Sequence, residues 1–236
     1  MTSTGLSGRF DVHAYNDLPA VEEADRDVRA DSRLGEFLDG ASRLILSYDL
    51  ESRFGVSLLH KHNRCAPGER MIERDELHDD RPALVNRPSL ADPDHELACP
   101  VVWQTRDGGY YPLEYSTDPT ARGLLHDGAI PNQFLDDFRA LTDRSPVGHL
   151  LGLAVVARSF YETAGPGESA IEFSMIEDRA NVVYLHDHAS LEGQLIETAW
   201  SFERGLTVAL DCLKSCRRWC ESIEGGHDKH HDSHHH

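Results

Sequence analysis

The sequence lacks several features that would identify a class of function. No apolar run approaches the roughly 20 residues of a membrane-spanning helix, and the best run covers only residues 150–157. Residues 1–10 have no apolar core of the kind that a secretory signal needs. The glycine-rich phosphate loops, the GxSxG elbow and the HExxH helix are also missing. We therefore expect a cytoplasmic protein that does not use the common nucleotide-driven or hydrolase motifs.

Positive charge is scarce. The 236 residues include 23 basic and 41 acidic side chains, which gives a formal net charge of −18, and only three of the basic residues are lysines. Such a chain repels the phosphates of nucleic acids and anionic membrane surfaces. We expect neither as a partner, whereas a small-molecule substrate remains open and the oligomeric state is not determined by the sequence.

The five cysteines do not form a disulfide framework. Their number is odd and long gaps separate Cys65, Cys99 and Cys212, so we expect reduced thiols. Cys212, Cys216 and Cys220 recur every four residues, and we interpret residues 205–223 as a helix that carries them as one stripe. The stripe either packs on the core or binds a soft metal ion, with His227 as a fourth ligand.

The hydrophobic pattern predicts an α+β fold with a mostly antiparallel sheet and a few packing helices. Apolar residues at helical spacing predict a helix over residues 32–48, and a second helix follows Pro131. Two β-rich runs around Arg106–Gly109 predict a hairpin. Further strands are expected at 149–158, 169–176 and 181–188, and residues 195–202 are ambiguous between strand and helix. Residues 81–100, with four prolines, are expected to be mostly loop with a short strand at 83–85.

Composition divides the chain into three parts. Residues 1–30 are polar and acidic and are expected to form a flexible arm. Residues 31–224 are expected to form a single α+β domain. Residues 225–236 contain six histidines and are expected to form a disordered tail, which would bind metal ions loosely whatever the protein does.

Two His-x-His pairs stand out, and each ends a strand-like run. They are His60 with His62 and His186 with His188. Residues two apart on a strand share a face, so each pair would present two imidazoles to the same side. Imidazole is a common ligand of zinc, copper and iron. We expect both pairs to surround one metal ion, although hydrogen-bonded histidines without a metal are the plainer alternative.

A carboxylate follows the first pair. A Pro-Gly turn precedes Glu69 and could fold its side chain back beside His60 and His62. The order Gly55, His60, His62, Glu69 resembles the first metal-binding motif of the cupins over fifteen residues. The gaps differ from those of the family, and its second motif is missing here. The resemblance implies only that such a spacing can carry a metal ion.

The sequence thus predicts a soluble protein that binds a transition metal, either zinc, iron or copper. The expected ligands are His60, His62, Glu69, His186 and His188. A metalloenzyme that activates water or dioxygen is one form of this hypothesis. Metal-free acid–base use of a histidine is another interpretation. A non-enzymatic metal-handling protein using the Cys stripe and the tail, or an interaction module with incidental histidines, are the remaining alternatives.

Overall fold

The structure is a computed structural model that describes residues 6, 8–90, 97–127, 130–165, 168–187, 195–203 and 209–217. Within these ranges the chain forms five α-helices and ten β-strands. The helices are α1 (Val12–Asn16), α2 (Val21–Ala30), α3 (Leu34–Ser47), α4 (Pro119–Asp127) and α5 (Asn132–Arg144). The strands are β1 (Phe54–Leu58), β2 (Glu69–His78), β3 (Arg81–Leu90), β4 (Cys99–Arg106), β5 (Gly109–Ser116), β6 (Leu151–Val155), β7 (Glu168–Met175), β8 (Ala180–Asp187), β9 (Leu195–Glu203) and β10 (Ala209–Arg217).

The strands form one closed barrel. Their order is β1-β6-β4-β5-β2-β3-β8-β7-β10-β9, and β9 pairs with β1 to complete the ring. The prediction of an α+β fold agrees with this architecture in outline. The sheet is mixed, because β2 runs parallel to β5 and β7 runs parallel to β10.

Helices α2, α3, α4 and α5 pack against the outside of one side of the barrel. Helix α3 confirms the helix predicted over residues 32–48, and its apolar stripe includes the buried Phe37, Ala41 and Ile45. It packs on β1 and β9, and it shares a hydrophobic cluster with Val56 and Leu58. The other face of β1 and its neighbours is therefore the interior of the barrel. No helix within the described ranges combines the length and the apolar character needed to cross a membrane.

Helices also occupy much of the N-terminal segment that we expected to be a flexible arm. Tyr15 of α1 is 0% exposed, and Val21, Ala24 and Val28 of α2 are buried in the core. Only these three apolar residues of α2 follow the helical spacing, and acidic and basic residues surround them. Tertiary packing of a short apolar stripe therefore stabilises a helix that the composition does not reveal.

Two expected elements differ from the structure. Residues 81–90 form the full strand β3 instead of a loop with a short strand. Pro82 and Pro88 fit because β8 pairs only with residues 84–86 of β3, so both prolines lie outside that segment. Residues 209–217 form strand β10 instead of a helix, because β10 pairs with both β9 and β7. Cys212 and Cys216 are thus on a strand, while Cys220 and residues 225–236 lie outside the described ranges.

The hairpin predicted around Arg106–Gly109 is confirmed. Strands β4 and β5 pair antiparallel up to Arg106 and Gly109. Asp107 and Gly108 form the turn with φ angles of 50° and 74°. Positive φ at both central residues is the geometry that suits the twist of a two-residue hairpin.

A row of polar residues crosses five neighbouring strands inside the barrel. Directly paired positions on adjacent strands point to the same side of a sheet. The pairing aligns Ser116, Glu73, Asn86, Asn181 and Ser174 on β5, β2, β3, β8 and β7. We call these five residues the polar row. Glu114 and Glu172 precede Ser116 and Ser174 by two positions and so lie on the same interior face.

One end of the polar row is an ion pair. Arg158 is 4% exposed, and its Nε atom donates a hydrogen bond of 2.7 Å to Oε1 of Glu73. Its Nη1 atom donates a second hydrogen bond of 2.7 Å to the carbonyl of Val155. The charge of Glu73 is therefore compensated inside the protein, as a buried carboxylate requires.

Candidate metal centre

His60 and His62 lie next to each other just beyond the end of β1. The strand ends at Leu58, so the two histidines belong to the following loop and not to the strand that we predicted. Their ring centroids are 4.5 Å apart, and the planes of the rings differ by 72°. His60 is 5% exposed, and the side chain of His62 is 2% exposed. Two imidazoles therefore meet in a space that is shielded from solvent.

The third member of the cluster is Glu172 of β7, which β10 and β9 separate from β1 in the ring. One ligand atom each from His60, His62 and Glu172 lies within 4.8 Å of the others. Nδ1 of His62 is 2.7 Å from Oε1 of Glu172, whose side chain is 1% exposed. This buried group of two histidines and a glutamate could hold a metal ion.

Neighbouring groups orient two of these three side chains. Nδ1 of His60 lies 2.9 Å from the carbonyl oxygen of Leu58 and donates to it, so Nε2 is the nitrogen that could coordinate a metal ion. Oε1 of Glu172 accepts a hydrogen bond of 2.8 Å from the amide of Asn181. Asn63 in turn donates to Oδ1 of Asn181 over 2.7 Å. Such outer contacts fix the tautomers and orientations of metal ligands.

Glu114 of β5 orients the side chain of His62. Its Oε1 atom is 3.0 Å from Nε2 of His62. Asn86 of the polar row donates to Oε2 of Glu114 over 3.4 Å. If Nδ1 of His62 binds an ion, the proton on Nε2 points at a carboxylate, which is the usual arrangement of a metal-bound histidine.

The two carboxylates also determine the protonation of His62. Burial alone would lower its pKa, but the charges of Glu172 and Glu114 and their hydrogen bonds outweigh burial and raise the pKa to about 9. Without a metal ion, His62 is thus an imidazolium between two carboxylates at neutral pH. Metal binding at Nδ1 must displace this proton.

Tyr15 brings a hydroxyl group into the same cluster. Its oxygen accepts a hydrogen bond of 3.1 Å from the backbone N–H of His62. Burial and the charge of Glu114 raise the pKa of Tyr15 well above its ordinary value, so the phenol is protonated. Helix α1 holds this position because the side-chain amide of Asn16 exchanges two hydrogen bonds of 2.9 Å with the backbone of Cys65.

The other residues predicted as ligands lie elsewhere. The carboxylate of Glu69 accepts hydrogen bonds from Arg179, at 2.9 Å, and from the backbone N–H of Ala66, at 2.7 Å. The ring of His186 lies 5.6 Å from that of Phe173, and its place on β8 puts it on the face opposite to Asn181. His188 is outside the described ranges. The structure thus brings His60 and His62 together with Glu172 and not with Glu69 or His186.

Neither Glu172 nor Glu114 is among the site residues predicted from the sequence. A signal was nevertheless present, since each is a single acidic residue between apolar neighbours within a strand. Glu172 stands between Ile171 and Phe173, and Glu114 stands between Leu113 and Tyr115. Acidic side chains are rarely buried unless they are paired, so an isolated carboxylate in a buried strand indicates a polar site.

Comparison of the chain with protein-family models, curated proteins and solved structures finds no match. The cluster of His60, His62 and Glu172 therefore carries the functional argument.

Proposed function

We propose that the protein binds one divalent transition metal ion inside its barrel through His60, His62 and Glu172. One observation carries the proposal: three buried side chains, from two distant parts of the chain, present ligand atoms within 4.8 Å of one another. The hydrogen bonds to Leu58, Asn181 and Glu114 support it, because such outer contacts orient the side chains of metal ligands.

The donor set suits zinc or ferrous iron, and copper is the third ion that two imidazoles and a carboxylate accommodate. Bonds of about 2.1 Å in a tetrahedral arrangement place ligand atoms about 3.4 Å apart. The contact of 2.7 Å between His62 and Glu172 has to widen by only a fraction of an ångström to accept the ion. Three protein ligands leave a position for water, whose pKa the ion lowers. Activation of water or dioxygen is the catalytic form of this proposal.

A specific observation also favours a second candidate, in which His62 works without a metal. Its two nitrogens lie 2.7 Å from Glu172 and 3.0 Å from Glu114, so the imidazolium is fully hydrogen-bonded as it stands. In this case His62 is a buried acid–base group. His60 separates the two candidates, because it is a metal ligand in the first and has no role in the second.

The test uses the full chain with the six tail histidines at 227–236 replaced by asparagine, which we call the tail-substituted chain. After purification without metal resin and dialysis against zinc, elemental analysis should find one ion per chain. His60→Gln should abolish this stoichiometric binding, and His149→Gln, at an exposed position, should not. Undiminished metal in His60→Gln, or no metal in the tail-substituted chain, contradicts the proposal.

The same preparation tests the cysteine alternative. A chain with Cys212, Cys216 and Cys220 all changed to serine should retain its zinc if the barrel site is the one that binds. Loss of zinc from this variant, with His60→Gln still loaded, assigns metal handling to the cysteines instead.

A further inference from the structure

The hydroxyl group of Tyr15 has a proton that no described residue accepts. Within the described part of the chain, the only hydrogen bond of this hydroxyl is the one that its oxygen accepts from the N–H of His62. Tyr15 is 0% exposed, so bulk water does not supply an acceptor. A buried donor without a partner destabilises the protein, and a bound ligand with an oxygen acceptor would recover that cost.

The hydroxyl of Tyr15 lies beside the proposed metal site. It is bonded to the backbone of one proposed ligand, His62, and it interacts electrostatically with both Glu114 and Glu172. The backbone N–H of Lys61 donates to the carbonyl of Pro19 over 2.9 Å, which holds the segment after α1 against the loop that carries His60 and His62. The phenol is therefore held in place before any ligand arrives.

We propose that Tyr15 donates a hydrogen bond to an anionic oxygen ligand of the metal ion, and that the centre accordingly takes small carboxylates or similar oxyanions. The inference rests on the metal site proposed above. The coordination sphere of a divalent ion with one carboxylate ligand and two neutral imidazoles has a net charge of +1, which favours an anion in the remaining position even though the carboxylate of Glu114 lies nearby, 3.0 Å from Nε2 of His62. A donor preset beside that position selects oxygen ligands over ligands that present no acceptor.

A second buried atom near the cluster also lacks a partner. Oδ1 of Asn86 is inaccessible and has no hydrogen bond to any part of the chain that the structure describes. The amide nitrogen of the same side chain faces Glu114, which directs the oxygen away from that carboxylate. An unused donor and an unused acceptor thus occur beside the same His62–Glu114 pair, as expected where an exogenous polar group binds.

The test measures ligand binding to the cobalt-loaded, tail-substituted chain. Cobalt(II) reports its coordination in the visible spectrum, so formate and imidazole can each be titrated at fixed pH. Tyr15→Phe should bind cobalt with the same stoichiometry as its parent and should bind formate about tenfold more weakly, the value of one hydrogen bond to a charged group. Its affinity for imidazole should not change, because the only acceptor nitrogen of imidazole binds the cobalt ion and the other nitrogen is a donor.

Tyr110→Phe is the matched control. It removes another buried phenol, whose hydroxyl donates to the carbonyl of Leu135 on the side of the sheet that faces the helices. This variant should lose stability without losing formate affinity. Equal formate affinity in Tyr15→Phe and its parent overturns the inference, as does an equal loss for formate and imidazole. A parent chain that takes up no cobalt overturns the metal proposal itself, and elemental analysis recognises that outcome before any titration.

Discussion

Nδ1 of His62 lies 2.7 Å from Oε1 of Glu172, and the two side chains are almost completely buried. Either a proton or a metal ion can join these two atoms, but not both. The raised pKa of His62 and the proposed metal site are therefore competing states of one contact. The first two predictions follow from this competition.

Metal affinity should increase with pH. Because the pKa of His62 is raised to about 9, each ion that binds displaces one proton at lower pH. The apparent association constant for zinc should rise about tenfold per pH unit from pH 7 and level off near pH 9. Competition with a chelator of known pH dependence measures this slope. An apparent constant that does not change between pH 7 and 9 would contradict the assignment of His62 as a ligand.

Stability of the metal-free protein should change in the opposite direction. The folded-state pKa of His62, about 9, lies above its ordinary value of 6.5, so the folded state holds the proton more tightly than the unfolded state. The resulting stabilisation is fully present below pH 6.5 and is lost as the pH rises to 9. We expect the free energy of unfolding to fall by about 3 kcal/mol over this interval. Urea denaturation in the presence of a chelator should show this fall, and His62→Gln should remove it.

Glu172 and Glu69 distinguish the structural assignment from the sequence prediction. Glu172→Gln keeps the shape of the side chain but removes the negative charge, so zinc affinity should fall by about 100-fold or more. Glu69→Gln should leave zinc affinity unchanged, because that carboxylate binds Arg179 instead. Calorimetric titration of both variants in the tail-substituted chain decides between them. A larger loss in Glu69→Gln would restore the ligand set expected from the sequence.

The pair of Arg158 and Glu73 predicts a large and reversible effect on stability. Arg158→Met leaves the buried charge of Glu73 without compensation, and this should cost about 3–5 kcal/mol of unfolding free energy. Adding Glu73→Leu should recover most of the loss, since no uncompensated charge remains. Urea denaturation of the single and double variants measures both changes in the free energy of unfolding. If the double variant is as unstable as the single variant, the cost arises from lost packing and not from charge.

Local patterns predicted much of the secondary structure. The helix α3, the helix α5 after Pro131 and the β4–β5 hairpin each depend on residues close in sequence. Strand β10 was predicted as a helix because the spacing of Cys212 and Cys216 fits both structures. Pairing with β9 and β7 favours the strand, and these partners cannot be inferred from the local sequence of residues 209–217.

The candidate site was predictable only in its histidines. His60 and His62 are two residues apart, and their proximity follows from that spacing alone. The third ligand depends on which strands lie near β1 in the ring, and this is a property of the strand order. Glu69 was the nearest carboxylate along the chain, whereas Glu172 is the nearest one in space.

Metal binding at the candidate centre should depend on the folding of the barrel. The loop that carries His60 and His62 follows β1, and Glu172 comes from β7, which β10 and β9 separate from β1 on the shorter way around the ring. Neither half of the chain contains a complete set of ligands. Tight metal binding at this candidate centre would therefore indicate that the last strands have paired with β1, and a bound ion would stabilise the closed barrel.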